Sequence, residues 1–297
     1  MKVVGCWMYV INKYGFPPHL EDMFKGIKEL SELGFRYIEL EGVGKENLMD
    51  VVNHREDFLG LLKNLGVKLT NFAVILPNIF SMNKSLKKDA LKFFEKGVET
   101  AKHLNSDFVW IDSFMPPVEI KEGKVFSDTI EFGTEVKVKI PPDFVWKDFW
   151  NNFVDSVKEC CRISESYAIP LLLEPRTSEV ISNSDALLRI LDAVGSDNFG
   201  VIFDTAHLHA AKELLPLSVE KLGSSIKYVH VADNDGGSDK HLNPEDGTID
   251  WEELFIALKK IGYTGYYAVD LEALPDLDQC FLRCKAFLEK YGKKLSL

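Results

Sequence analysis

Four apolar runs in the second half of the chain carry an acid or an imidazole at or near their ends. Glu174 ends "IPLLLE" and Asp204 ends "FGVIFD"; His230 lies in "IKYVHVAD" and Asp270 in "GYYAVDLE", with Glu272 two residues on. Groups of this kind are expensive to bury unpaired, so a strand that delivers one from an apolar run points to a site. Alternate residues of a strand share a face, which puts Leu172 with Glu174, Ile202 with Asp204, Tyr228 with His230 and Ala268 with Asp270. Three carboxylates and one imidazole are mostly hard oxygen donors. They suit Mn²⁺, Mg²⁺ or Co²⁺, and Zn²⁺ is also compatible. One acid at a strand end is commonly a helix N-cap or a solvated loop residue. Four on successive strands, all on the predicted inner face, favour a divalent-metal site.

The elements that must carry these groups are readable along the whole chain. Apolar runs at 2–8, 36–42, 67–74, 107–113, 169–174, 199–204, 226–233 and 265–272 alternate with longer amphipathic stretches. That alternation is the pattern of βα units around a parallel sheet. "LEDMFKGIKELSELG" places Leu20, Phe24, Ile27 and Leu30 on one helical face and stops at Gly34. "DALKFFEKGVETAKHL" aligns Leu91, Phe94, Val98, Ala101 and Leu104, and "DWEELFIALKKIG" opens with Asp250 and Glu253 at capping-box spacing. Eight such strands in 297 residues predict an α/β fold, a closed (β/α)8 TIM barrel. The site then lies at the carboxyl ends of the strands. No G-x-G-x-x-G follows the first run, which argues against an open dinucleotide-binding sheet.

No linker or internal repeat divides the chain, so residues 1–297 read as a single TIM-barrel domain. One stretch breaks the rhythm. Residues 115–144, "MPPVEIKEGKVFSDTIEFGTEVKVKIPPDF", are bracketed by proline pairs and alternate in "TIEF" and "EVKVKI" around Gly133. They read as a β-hairpin inserted between strand 4 and helix 4, either a site cover, a surface ornament or a subunit contact in a homo-oligomer.

Composition removes several partners. The net charge is -11 and no run of five Lys or Arg occurs, so neither nucleic acid nor an anionic membrane surface is expected to bind. No apolar run approaches membrane-spanning length. Five cysteines, an odd number without a C-x-x-C pair, suit a reducing, cytoplasmic setting. "MKVVGCWMYV" has one basic residue and no small-residue cleavage site, and is read as a first strand rather than an export signal.

The stretches "GFRYIELEG", "LLLEP", "FDTAH", "YVHVADNDGGSDKHLNPEDGTIDW" and "GYTGYYAVDLE" resemble the xylose isomerase-like family of TIM barrels. These are sugar phosphate isomerases and epimerases, and the wider group includes endonuclease IV. The resemblance covers essentially the whole barrel apart from the insertion, and "DTxH" followed by "HVxD…H…G-x-ID" is its specific part. It implies a metal held by Glu174, Asp204, His230 and the acid of the last strand. Counting from Gly262 and Gly265, that acid is Asp270, where the family usually has glutamate, with Glu272 in reserve. "HLNPEDG" departs from the family's "HLPPGEG" but keeps His241 and Gly247.

The implied activity is a metal-dependent isomerase or epimerase of a small keto-sugar or polyol derivative. The ion acidifies a C–H beside the carbonyl and stabilises the enediolate, while Glu174 and Asp270, on opposite sides of the sugar, remove and return the proton. His207, three residues after a ligand, is expected to hydrogen-bond a substrate oxygen. Arg176 forks onto a substrate carboxylate, phosphate or hydroxyl pair, or pairs with a loop acid. Glu39 supports a ligand or touches substrate, and His241 touches substrate or shapes its loop. Trp7, Phe72 and Trp110 pack on a sugar face or in the core. His209, His19, His54 and His103 read as structural. The alternatives are a keto-polyol dehydratase with the same metal and bases, an endonuclease IV-like nuclease, and a non-catalytic sugar-binding barrel. The nuclease needs histidines on strands 3 and 4, and "NFAVILPN" and "VWIDSF" supply none.

Overall fold

Near-continuous apolar runs form strands here because both of their faces are covered: in Phe199–Asp204 and Leu171–Glu174 every residue is buried. The computed structural model describes residues 1–122, 137–272 and 274–297. Its barrel strands are β1 (Lys2–Gly5), β2 (Tyr37–Val43), β3 (Lys68–Ile75), β4 (Phe108–Asp112), β7 (Leu171–Glu174), β8 (Phe199–Asp204), β9 (Ile226–Val231) and β10 (Tyr266–Val269); β5 (Glu119–Glu122) and β6 (Lys137–Lys139) stand apart. The eight run parallel in the closed order β1-β10-β9-β8-β7-β4-β3-β2, and β2 pairs back onto β1. This is the (β/α)8 barrel expected.

Helices α1 (Met8–Tyr14), α2 (Leu20–Glu32), α3 (Gly44–Asn53), α4 (Arg55–Leu65), α5 (Lys84–His103) and α6 (Trp146–Ser166) lie in the first half. The second half supplies α7 (Ser184–Val194), α8 (Thr205–Ala210), α9 (Leu215–Leu222), α10 (Trp251–Lys260) and α11 (Leu277–Leu295). Their apolar stripes face the sheet, as with Phe94, Val98 and Ala101 of α5. α4 stops at Gly66, whose φ of 61° lets the following Val67 N–H turn back onto the Leu62 carbonyl at 3.0 Å.

Three boundaries differ from the sequence reading. β1 ends at Gly5 rather than Met8, because the Tyr9 and Val10 amides turn onto the Cys6 and Trp7 carbonyls and start α1. A continuous apolar run cannot distinguish strand from buried helix. α5 begins a turn before Asp89, where Asn83 accepts from the Ser85 and Leu86 amides; that turn buries no apolar face and left no periodic signal. Between strand 4 and its helix, β5 pairs antiparallel with β6. The expected "TIEF" arm and the Gly133 turn lie outside the described residues. Among the described residues no helix is long and apolar enough to cross a membrane.

Candidate active site

Parallel register brings the strand ends level. Asp112 lies opposite Glu174, Asp204 opposite His230, and Ala268 opposite His230, with Asp270 one step past the end of β10. Glu174, Asp204, His230 and Asp270 are all buried, and one ligand atom from each lies within 4.8 Å of the others. All four side chains singled out at the strand ends therefore meet.

Each of the four is held by one atom and presents another to the shared centre. Glu174 Oε2 accepts from Arg176 Nε at 2.9 Å. Asp204 Oδ1 caps α8 by accepting from the His207 amide at 2.6 Å. His230 Nε2 sits 3.1 Å from Glu39 Oε1, an acceptor for its N–H, and Nδ1 faces inward. Asp270 Oδ1 accepts from Cys6 Sγ at 3.0 Å. The inward atoms Glu174 Oε1, Asp204 Oδ2 and His230 Nδ1 have no hydrogen-bond partner among the described residues. His230 Nδ1 lies 2.5 Å from Glu174 Oε1 without hydrogen-bond geometry, 3.6 Å from Asp270 Oδ2 and 3.8 Å from Asp204 Oδ2. Buried polar atoms are rarely left in this state, so their convergence fits a cation bound by oxygen and imidazole.

The electrostatics agree. Burial pushes the His230 imidazolium down, but Glu174 and Glu39 outweigh it and raise its pKa well above the usual value. In the absence of a metal the ring thus holds a proton where a cation would sit. Burial raises the Glu174 carboxyl, yet the His230 and Arg176 charges bring it down to about 2. Burial likewise raises Asp270, but His241, by hydrogen bond and charge, and then His230 hold it well below the carboxylate range. Asp204 is raised, chiefly by burial.

A second layer surrounds this centre. His207 Nδ1 pairs with Asp239 Oδ2 at 2.9 Å, and Thr177 Oγ1 donates to the same oxygen. His241 Nδ1 lies 2.9 Å from the Asp270 carbonyl and 3.1 Å from Asp270 Oδ2, and its ring meets His207 edge-on. Asp204, His207 and His241 also have ligand atoms within 4.8 Å of one another. The loop that carries Asp239 and His241 is fixed by Asp233, which accepts from the Glu245 and Ile249 amides and from Trp251 Nε1. Gly247 is required there: a Cβ would stand 2.2 Å from Asp233 Oδ1 and 2.3 Å from the Asn234 carbonyl. His209, by contrast, bonds Thr248 Oγ1 at 2.9 Å and braces the loop.

Arg176 also lies 3.1 Å from Asp112 Oδ1, so it faces two strand-end acids, Asp112 and Glu174. Trp110 is buried edge-on to His230 with the Arg176 guanidinium 5.7 Å from its ring, while Trp7 and Phe72 are fully buried. Both indole N–H groups are without a hydrogen-bond partner among the described residues. Glu272 is half-buried and gives its amide to the His241 carbonyl; Asp270, not Glu272, joins the four.

Several buried groups were not singled out from sequence. Glu41 lies two residues beyond Glu39 on the same face, and burial pushes its carboxyl up. Asp112 ends β4 as Glu174 ends β7, and burial, only partly offset by Arg176, pushes it up to about 8. The strand-end rule would have found both. Glu179 accepts from the Ser113 and Phe114 amides and ties the loop after β7 to β4, with no sequence signal.

A family model described as "Xylose isomerase-like TIM barrel" matches residues 27–279. Fructoselysine 3-epimerase of Shigella flexneri is 23% identical over 197 residues, 65% of this chain and 63% of that protein. The chain thus spans somewhat under two thirds of that curated relative. A crystal structure of a D-tagatose 3-epimerase-like protein superposes with a TM-score of 0.75 at 22% identity, covering 100% of this chain and 98% of the other. The IOLI protein, solved with a binding zinc atom, gives a TM-score of 0.74 at 19% identity over 100% of both chains. At these identities the two structures speak for the fold.

Proposed function

Because the chain belongs to the xylose isomerase-like TIM barrel family, we propose that it is a divalent-metal-dependent isomerase or epimerase of a small keto-sugar or polyol derivative. The observation that carries this reading is the convergence of four buried strand-end side chains, three of which keep a buried atom without a hydrogen-bond partner among the described residues. Glu174, Asp204, His230 and Asp270 would hold the ion, which when bound polarises the carbonyl of a ketose and acidifies the neighbouring C–H. The relatives' names support sugar epimerisation, and the zinc of the IOLI protein supports a metal.

The chain's own residues supply the proton transfers. Glu174 and Asp270 are kept ionised by their neighbours, as proton acceptors must be, and they approach from non-adjacent strands, β7 and β10. One removes the proton and the other returns it, which inverts a centre or moves the carbonyl. Arg176 fixes the rotamer of Glu174 through Oε2. His207, held at Nδ1 by Asp239, would orient a substrate hydroxyl. Trp110, edge-on to His230 and with the Arg176 guanidinium 5.7 Å from its ring, would form one wall of the substrate site.

Deuterium wash-in tests the reaction. Metal-loaded protein in D₂O, offered a panel of ketoses, is expected to place one deuterium beside the carbonyl of at least one sugar. A mass loss of one water instead would identify a dehydratase. No exchange in any ketose would defeat the reading.

A further inference from the structure

We propose that Cys6 is a positioning residue for Asp270: its thiol donates to Oδ1 and fixes the rotation of the carboxylate so that Oδ2 faces the centre shared with Glu174, Asp204 and His230. The inference rests on the proposed function above, in which Asp270 is both ligand and proton carrier.

The seam of the barrel creates the contact. Gly5 pairs with Val269 across β1 and β10, so the next residue on each strand, Cys6 and Asp270, are neighbours. Sγ and Oδ1 are 3.0 Å apart with both residues buried. A thiol is a weak donor, but against a carboxylate acceptor in a dry site the bond is strengthened.

Asp270 needs such an anchor more than its counterparts. Glu174 has the Arg176 guanidinium, Asp204 the His207 amide, and His230 the Glu39 carboxylate. Asp270 is one methylene shorter than Glu174 and is drawn at Oδ2 by His241 Nδ1, 3.1 Å away on the loop side. Without a donor at Oδ1, rotation toward His241 would take Oδ2 off the centre and leave Oδ1 buried without a partner. Cys160, Cys161 and Cys284 are also buried, but their placement on α6 and α11 is in helix packing. The position of Cys6 at a strand end is what sets it apart.

Cobalt(II) is the probe: isotherms and visible spectra of wild type, Cys6→Ala, Cys6→Ser, Asp270→Glu and the double variant Cys6→Ala/Asp270→Glu, with kcat and KM on an active ketose. Loss of the thiol is expected to weaken Co²⁺ binding by about tenfold and to alter its spectrum, as removal of an outer partner of a ligand does. Serine, which restores a donor, is expected to recover most of both. In the Asp270→Glu background the longer acid reaches without help, so the alanine penalty shrinks severalfold. Cys6→Val, also without a donor, carries the comparison if the alanine variant is unstable. Wild-type Co²⁺ binding and spectrum in Cys6→Ala, no recovery by serine, or an equal penalty in both backgrounds would overturn the role of Cys6 alone. If the wild-type chain binds no Co²⁺, the metal-dependent reading fails with it.

Discussion

Several polar groups near the amino ends of the barrel strands pair with one another, whereas a cluster at the carboxyl ends does not. Toward the amino ends of the strands, Thr70 Oγ1 and the Tyr228 hydroxyl meet at 2.8 Å. Lys68 clamps Asp107 at 2.7 Å, and the Tyr266 hydroxyl donates to the same carboxylate at 2.6 Å. These groups satisfy one another. At the carboxyl ends, Glu174, Asp204 and His230 each keep a buried atom with no hydrogen-bond partner among the described residues. An unsatisfied buried polar group costs roughly 1–3 kcal/mol, more when charged. The amino end is built for stability, whereas the carboxyl end gives up stability to hold groups ready for a ligand.

The largest effect expected from breaking this contrast is at Glu174. Glu174→Gln keeps the shape but removes a proton acceptor, and should lower kcat by about 10²–10⁴-fold, measured as initial rate of ketose interconversion. Glu39→Gln removes the partner that fixes the His230 ring, and should weaken metal binding by about 10–100-fold, read from an isotherm.

The acid-side stability of the loop sharpens the comparison next. Burial raises the Asp239 carboxyl, but the His207 charge and hydrogen bond, then His241 and Thr177, outweigh it and bring it to about 2. Its folded pKa lies below its ordinary value of 3.8. The stability it contributes is therefore full above about pH 4 and is lost as pH falls through about 2. Asp239→Asn should flatten that part of the unfolding midpoint against pH; it also removes what raises the His207 pKa, so the stability lost as pH rises above about 6.5 shrinks too. The smallest effect is at the amino end. Tyr266→Phe should cost about 1 kcal/mol in denaturant unfolding while metal affinity stays unchanged.

How far the sequence discloses this molecule depends on whether a residue's neighbours are set by strand period or by the chain's turns. Glu174, Asp204, His230 and Asp270 were legible because a period of two, read from any apolar run, tells which strand-end residues share the inner face. Glu41 and Asp112 obey the same rule on β2 and β4. Cys6 was hidden for a physical reason. "VVGCWMYVI" is apolar throughout, so nothing marks the point where β1 stops and α1 begins, and with it the level at which Cys6 meets Asp270. Arg176 could be placed beyond Glu174, but its pairing with Asp112 depends on β4 and β7 being neighbours across the intervening β5 and β6. The clamp of His207 by Asp239 requires a loop closed by Asp233 and Gly247, which no periodicity reports.

Within "GVIFDTAHLHA" two neighbours carry opposite expectations. Asp204 opens onto the centre, and the His209 ring bonds Thr248. The central test is divalent-metal binding by wild type, Asp204→Ala, His230→Ala and His209→Ala, from elemental analysis and isotherms on the same preparations. One ion per chain in wild type and His209→Ala, with binding lost in Asp204→Ala and His230→Ala, is the predicted result. Wild-type affinity in both Asp204→Ala and His230→Ala would contradict the account.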